Sequence, residues 1–332
     1  MPRSCSVPCD DLTDVPGIRV GHAHNNTTKT GVTVVLPSPD GIPAAVHIGG
    51  SASSTRQMDS LRLSHLVDRV HGICLSGGSA FGLDAAGGVM SWLEQHGIGI
   101  QVTGRIIPIV PSAVIFDLNF GEGSVRPDAT MGFQACENAS SGMIEQGSVG
   151  AGIGATVGKL LGIDHAMKGG VGSASSVQEN LIVGVLAVVN AYGDIIDLDG
   201  TILAGVRVSP TSMEKADAAR LLREGRAVSR GASVENTTLA VVAVNARLDK
   251  VTALRIAAQA SLGMGAVVRP CHTQIDGDLT IVLGVGEEEA DPSRIGLLAA
   301  DTLQRAIIKA VKRADGFGLL PAWKDIHAPL SR

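Results

Sequence analysis

The chain has 332 residues, enough for one large domain or two ordinary ones, and 45% of them are apolar, so a sizeable core can be buried. A net charge of −5 without any basic block argues against a nucleic-acid partner, and 2% aromatic residues leave no stacking platform for single strands. No apolar run is long enough to span a bilayer, and the opening MPRSCSVPCDDLTDVPG lacks the apolar stretch of a secretion signal, so a cytoplasmic protein with no membrane partner is expected.

In chain order, the short apolar runs GIRVGHA, GVTVVL and HGICLS read as strands. GLDAAGGVMSWLEQHG then reads as a helix with a glycine stop, and LIVGVLAVVNA as a strand. TSMEKADAARLLREG reads as a helix with a Ser/Thr start and a glycine stop. The strand LAVVAVN, the helix DKVTALRIAAQASLG and the strand LTIVLGV follow. A final helix, DPSRIGLLAADTLQRAIIKAVKRAD, opens on Asp-Pro and carries basic residues in its last turns. The alternation predicts a layered α/β or α+β domain over residues 1–332, with no linker or repeat dividing it. Residues 225–236 are the best candidate for an exposed connection.

Several motifs invite chemistry and fall short of it. The five cysteines are odd in number and mostly far apart, as in reduced thiols; Cys5 and Cys9 lack a second ligand pair, and no metal is expected there. His22 and His24 form an H-x-H pair without a further ligand at metal spacing. CLSGGSAFGLDAAGG is neither a nucleophile elbow, since Phe81 replaces its second glycine, nor a P-loop. GSVGAGIGATVGKLLG misses the dinucleotide spacing and has Leu160 where a P-loop needs Ser or Thr, so close backbone packing is the simpler reading and no cofactor is expected. Lys159, at the end of that loop, is a candidate for partial burial. Cys271-His272 suggests a thiol–imidazole dyad, but adjacent residues rarely make that bond, and the partner must come from elsewhere.

Asn236-Thr237-Thr238 stands directly before the strand LAVVAVN. Local sequence favours a turn, and the missing secretion signal argues against glycosylation of N-x-T. The sharper reading is a self-cleavage point. A threonine hydroxyl is a weak nucleophile that needs a base. Cleavage before Thr237 would create one, an α-amine with a pKa near ~8. Thr237 Oγ would attack the Asn236 carbonyl in an N→O acyl shift, with water hydrolysing the ester. Asp276 and Asp278, just ahead of LTIVLGV, could place two carboxylates in one site and separate their titrations; a solvated Asp-Gly-Asp turn is the alternative.

LTDVPGIRVGHA, HGICLSGGSAFGLDAAGGVMSWLE, PSAVIFDL, GAGIGATVGK, VVNAYGD, NTTLAVVAVNA and HTQIDGD, in this order and over nearly the whole chain, resemble the L-aminopeptidase/D-esterase (DmpA-like) family, peptidase family S58. That family includes β-peptidyl aminopeptidases and the 6-aminohexanoate-oligomer (nylon) endo-hydrolase. The resemblance implies a four-layer α/β/β/α sandwich of the N-terminal-nucleophile type. It implies cleavage between Asn236 and Thr237 into a large chain, 1–236, and a small chain, 237–332, and a homo-oligomer, a tetramer of such pairs. Thr237 matches the nucleophile, Lys159 and Asn190 the active-site lysine and asparagine, and Asp276 and Asp278 the Asp-x-Asp pair of the nylon-hydrolase branch. Asn190 could donate to an oxyanion, and cationic Lys159 would lower the pKa of a nearby amine. Phe116 replaces the family's active-site tyrosine and removes a hydroxyl from the substrate-binding region. The expected activity is amide hydrolysis on small peptides or short linear amide oligomers through a threonine acyl-enzyme. A non-catalytic ligand-binding protein that keeps the fold is the alternative.

Overall fold

A computed structural model of the chain describes residues 8–226 and 236–327. Most of the expected connection 225–236, and Cys5, lie outside the described residues.

Two sheets lie face to face between two helical layers. The first runs in the order β1 (Arg19–Asn25), β2 (Thr30–Leu36), β4 (Ile73–Ser76), β5 (Ser112–Val114) and the short Thr55–Arg56. The second runs in the order β6 (Gly170–Gln178), β7 (Leu181–Asn190), β8 (Thr237–Ala246), β9 (Leu279–Glu288), β3 (Ile42–Ile48) and Arg69–Val70. Period-two side-chain alternation builds two cores from a single strand. In β7, Leu186 and Val188 point into the apolar layer between the sheets with Val35, Leu75 and Ile281. Val185, Ala187 and Val189 point the other way, towards α4 (Lys250–Val267) and α5 (Pro292–Lys312). The outer face of the first sheet is covered by α1 (Ala85–Gln95) and α2 (Ala129–Glu137), through Val89, Trp92 and Leu93. The order helix, sheet, sheet, helix is the expected four-layer sandwich. It explains why LIVGVLAVVN and TTLAVVAV are nearly unbroken apolar runs: both faces of each strand are covered.

β7 and β8 pair antiparallel, while β8 and β9 pair in parallel, with Leu239 opposite Leu279. Parallel neighbours need a crossover, and α4 supplies it, starting at Asp249, whose carboxylate accepts from Thr252 N. α5 starts at Asp291 with Pro292 in its first turn and ends with Lys309 and Lys312, as its sequence predicts. The helix expected over TSMEKADAARLLREG is shorter. α3 spans Ala218–Arg223 and is capped by Asp217, which accepts from Arg220 N. The preceding residues fold back instead, with Val208 N donating to Glu214 O and Ala216 N to Val206 O. These backbone bonds outweigh the helix propensity of the isolated segment.

β6 lies so close to α5 that a Cβ on Gly172 would stand 2.0 Å from the Ala306 carbonyl oxygen. Gly172→Ala is therefore expected to lower stability by about 1–3 kcal/mol. Gly265→Ala, on α4 with open space around its Cβ position, should be neutral or raise stability by up to about 1 kcal/mol. Thermal unfolding of the two variants beside the wild type checks the pair; equal midpoints would contradict the close packing.

Candidate active site

The parallel pairing of β8 and β9 brings their entry segments together. Asn236 forms a parallel bridge with Asp276, one residue before β8 begins. Asn236, Thr237, Asp276 and Asp278 are 0%, 5%, 2% and 2% exposed, so Asp-Gly-Asp is not a solvated turn. The Thr237 hydroxyl donates to the carbonyl oxygen of Asn236 at 2.6 Å, across the peptide bond that joins them. The Gly277 N–H donates to the same oxygen, also at 2.6 Å. A side chain at 277 would place its Cβ 2.7 Å from Thr237 Oγ1, so glycine is needed for this approach. The turn after β3 covers the segment: Gly49 N and Gly50 N donate to Asp278 O, and Ala52 N donates to Asp276 O.

Asn190 ends β7 directly opposite Thr237. Its Oδ1 accepts from Lys159 Nζ at 2.8 Å and from Thr156 N at 3.0 Å, which fixes the amide orientation. One amide hydrogen then goes to the Phe116 carbonyl at 3.1 Å, leaving the other free to donate. Lys159 Nζ also donates to the carbonyls of Thr156 and Asn190, at 3.0 and 2.8 Å. Burial lowers the Lys159 pKa to about 7, against the pull of Asp276, Asp278 and Asp117. Three acceptors match the three hydrogens of an ammonium, so the cation is the form this cage is built for. The expected partial burial of Lys159 is complete, at 2% exposure. The glycine-rich loop that delivers it is packing rather than a phosphate cradle: the N–H groups of Gly158 and Lys159 donate to Gly193 O and Tyr192 O. Phe116 reaches the site through its backbone carbonyl, and the residue also lines a small cleft with Asp117, Thr156 and Lys159.

The two aspartates have different surroundings. Asp276 accepts from Thr273 N and Thr273 Oγ1 at 2.9 and 2.6 Å. Burial first, then the charge of Asp278, raises its pKa to about 6. Asp278 accepts from Thr238 N with Oδ1, at 2.6 Å. Its Oδ2 accepts from His272 N and His272 Nδ1, both at 3.0 Å, and from Cys271 Sγ at 3.5 Å. The Cys271-His272 pair thus forms no dyad; both side chains turn to a carboxylate six or seven residues along. Burial and Asp278 push the thiol pKa up, so it stays a protonated donor. Cys271, His272 and Asp278 are the one Cys/His/Asp/Glu trio among the described residues with ligand atoms within 4.8 Å of one another. Their hydrogens converge on one carboxylate oxygen, as in a hydrogen-bonded cluster rather than a ligand set. His22 and His24 are occupied elsewhere: His22 Nδ1 pairs with Thr33 Oγ1, and His24 Nδ1 accepts from Gly150 N.

A buried hydroxyl against its own preceding carbonyl, two unequal carboxylates, a caged lysine and an orienting asparagine form one constellation. The family model described as peptidase family S58 matches residues 10–320. The chain belongs to this family. An uncharacterized aminopeptidase of Mycobacterium tuberculosis is 37% identical over 96% of this chain and 98% of its own length. The 6-aminohexanoate-oligomer endohydrolase of Paenarthrobacter ureafaciens is 29% identical over 90% of this chain and 85% of its own. The solved L-aminopeptidase D-Ala-esterase/amidase of Ochrobactrum anthropi superposes with a TM-score of 0.68, at 19% identity over 94% of this chain and 88% of that one. That structure carries a variant of the N-terminal-nucleophile hydrolase fold, so the S58 chain has the sandwich its sequence suggests.

The structure gathers Thr237, Asn236, Asp276, Asp278, Asn190 and Lys159 around one edge of the second sheet, with the Phe116 backbone on Asn190. Sequence reasoning missed Gly277, Ser261 and the turn 49–52, and it singled out His272 only as half of a pair with Cys271. Gly277 carried a signal, since a glycine between two buried aspartates marks a close approach. The others depend on tertiary pairing and carried none.

Lys159→Met isolates the buried cation. Between pH about 7 and about 10.5 the folded wild type holds less of a proton on Lys159 than the unfolded chain does. Wild-type stability should therefore rise with pH relative to the variant across that window, by at most about 1.4 kcal/mol per unit. Denaturant unfolding of both proteins from pH 7 to pH 9 measures the difference; a flat difference would contradict the depressed pKa.

Proposed function

We propose that this S58 protein is an amide hydrolase that breaks its own Asn236–Thr237 bond and then uses Thr237 as an N-terminal nucleophile. The observation that carries the reading is the carbonyl of Asn236, which accepts at once from the Thr237 hydroxyl and from Gly277 N–H. The hydroxyl lies against the group it attacks, and the amide is already aimed at the oxygen that becomes negative. In the first step Oγ1 bonds to the Asn236 carbonyl carbon, the C–N bond breaks, and the Thr237 nitrogen leaves as an amine. Water hydrolyses the resulting ester, giving a carboxylate on Asn236 and a free α-amine on Thr237.

The same geometry then serves substrate. Departure of the Asn236 carbonyl leaves Gly277 N–H facing an open position, which the substrate carbonyl takes. Thr237 Oγ1 attacks it, the α-amine accepts the hydroxyl proton and delivers it to the leaving amine, and water releases the acyl group. Lys159, while it carries its proton, favours the neutral form of that amine, and Asn190 has one amide hydrogen to offer the oxyanion. Small peptides and short linear amide oligomers are the substrates we propose, in line with the names of the aminopeptidase and endohydrolase relatives. No metal or cofactor takes part in these steps. A binding protein that merely kept the fold would have no use for a hydroxyl pressed on its own peptide bond.

The two chains would remain one body. β8 and β9 of the small chain lie in the middle of the second sheet, between β7 and β3 of the large chain. A homo-oligomer, a tetramer of such pairs, and a cytoplasmic location complete the proposal. Free thiols at Cys74, Cys136 and Cys271 support that location, and no helix among the described residues is long and apolar enough to cross a membrane.

Intact-mass analysis tests the reading. The wild type should resolve into chains of 1–236 and 237–332, Thr237→Ser should still split, and Thr237→Ala should stay whole and inactive on amide substrates. An active, unsplit wild type would overturn it. Maturation should also slow as pH falls through about 6, where Asp276 becomes protonated, by up to about tenfold per unit. A time course of splitting between pH 5 and pH 7 measures this, and a rate independent of pH would exclude a role for ionised Asp276.

A further inference from the structure

We propose that His272 is a positioning residue that fixes Asp278, and through it the backbone at Thr238, for the chemistry at Thr237. The inference rests on the reading of Asn236–Thr237 as the processed bond.

Three observations carry it. First, His272 gives one carboxylate oxygen two donors, its backbone N–H and its ring Nδ1, both 3.0 Å from Asp278 Oδ2. Two bonds from one residue fix the rotation of the carboxyl group, so that Oδ1 faces Thr238 N at 2.6 Å. Thr238 is the residue after the nucleophile, and a displaced Asp278 would displace the start of β8. Second, the ring is itself held. Its Nε2 pairs with Ser261 Oγ of α4 at 2.8 Å, and Ser261 is 3% exposed. Its face lies on Gly49, where an added Cβ would stand 2.7 Å from ring atoms. Since Nδ1 donates to a carboxylate, His272 binds Ser261 through Nε2 as acceptor when neutral and as donor when protonated. Third, His272 has a φ of +55°, the left-handed region that most side chains avoid. That conformation aims the backbone N–H and the ring at the same oxygen.

The arrangement divides the labour of the two carboxylates. Asp278 raises the His272 pKa through its hydrogen bond. Asp276, held by Thr273 instead, has its pKa raised to about 6. The charged and titratable groups facing His272 are Asp276, Asp278 and Cys271 from its own turn and His47 from β3; α4 presents the neutral Ser261.

The test measures self-splitting by intact mass across pH in the full chain. Asparagine tolerates a positive φ and offers an amide N–H to Asp278, so His272→Asn is the conservative variant. His272→Ala should slow splitting by about 10- to 100-fold, as expected for a misplaced reacting group. Its acid limb should move to higher pH, because Asp276 loses the nearby imidazolium charge that favours its ionised form. His272→Asn should recover most of the rate at high pH with the limb still displaced, and Ser261→Ala should give a smaller slowing in the same direction. If His272→Ala splits at the wild-type rate with an unmoved limb, the inference is wrong. It is equally wrong if the Ala and Asn variants are slowed alike, with unmoved limbs and lowered unfolding temperatures, because that is the mark of a merely structural residue. A wild type that never splits overturns the processing reading instead, before any variant is compared.

Discussion

Parallel pairing between β8 and β9 is the constraint on which the site depends. Antiparallel neighbours would put the start of one strand beside the end of the other. Parallel neighbours put both starts at one edge, so residues 236–238 and 276–278 meet there, 40 residues apart in the chain. The crossover helix α4 makes the parallel arrangement possible and also brings Ser261 to His272. β7, antiparallel on the other side of β8, ends at Asn190, level with Thr237. Three strand ends thus deliver Thr237, the two carboxylates and Asn190 to one place, with the rigidity of a sheet covered on both faces.

Burying so many ionisable groups at one edge is expensive unless their charges are arranged. Lys159 meets three oxygen acceptors from Thr156 and Asn190, and Asp276 and Asp278 act on it from a distance. Asp278 has a histidine, a thiol and two backbone N–H groups. Asp276 has Thr273 alone, and its pKa is the one raised to about 6. Burial raises the Asp276 pKa first, and the nearby charge of Asp278 adds to it, while Thr273 offsets only part of that cost. Such a pair is suited to acid–base work near neutral pH.

Much of the frame was legible in the sequence because local signals agreed with tertiary packing. Double-faced burial makes β7 and β8 unbroken apolar runs, and Asp-Pro with a basic last turn marks α5. The helix over 211–225 misled because its first half makes backbone bonds to residues 206–208, and no residue-level propensity reports such pairing. At the site, Asp276 and Asp278 were visible as a pair, but on local grounds a solvated turn competed with burial. Lys159 and Asn190 stood out through the family resemblance, since a glycine-loop lysine and a strand-end asparagine have no spacing that links them. Cys271-His272 shows the limit most clearly. The sequence displays the two side chains, but the partner that decides their chemistry, Asp278, is fixed only by a backbone turn and a left-handed residue.

The sandwich also bears on why cleavage at this bond need not weaken the protein. A chain cut in a surface loop gains freedom at both new ends, whereas residue 237 is hydrogen-bonded from the first residue of the strand onward. Its strand lies between β7 and β9, and β9 lies between β8 and β3, so the two strands of the proposed small chain are enclosed on both sides by strands of the large one. Separating them would break the β7–β8 and β9–β3 pairings and expose the cores on both sides of the sheet, including Val242, Leu239 and Ile281. The apolar area lost from water in that sheet far outweighs the freedom gained by one broken peptide bond. The strand that aims Thr237 at the carbonyl of Asn236 is therefore also the strand that would hold Thr237 in place if that bond were cut.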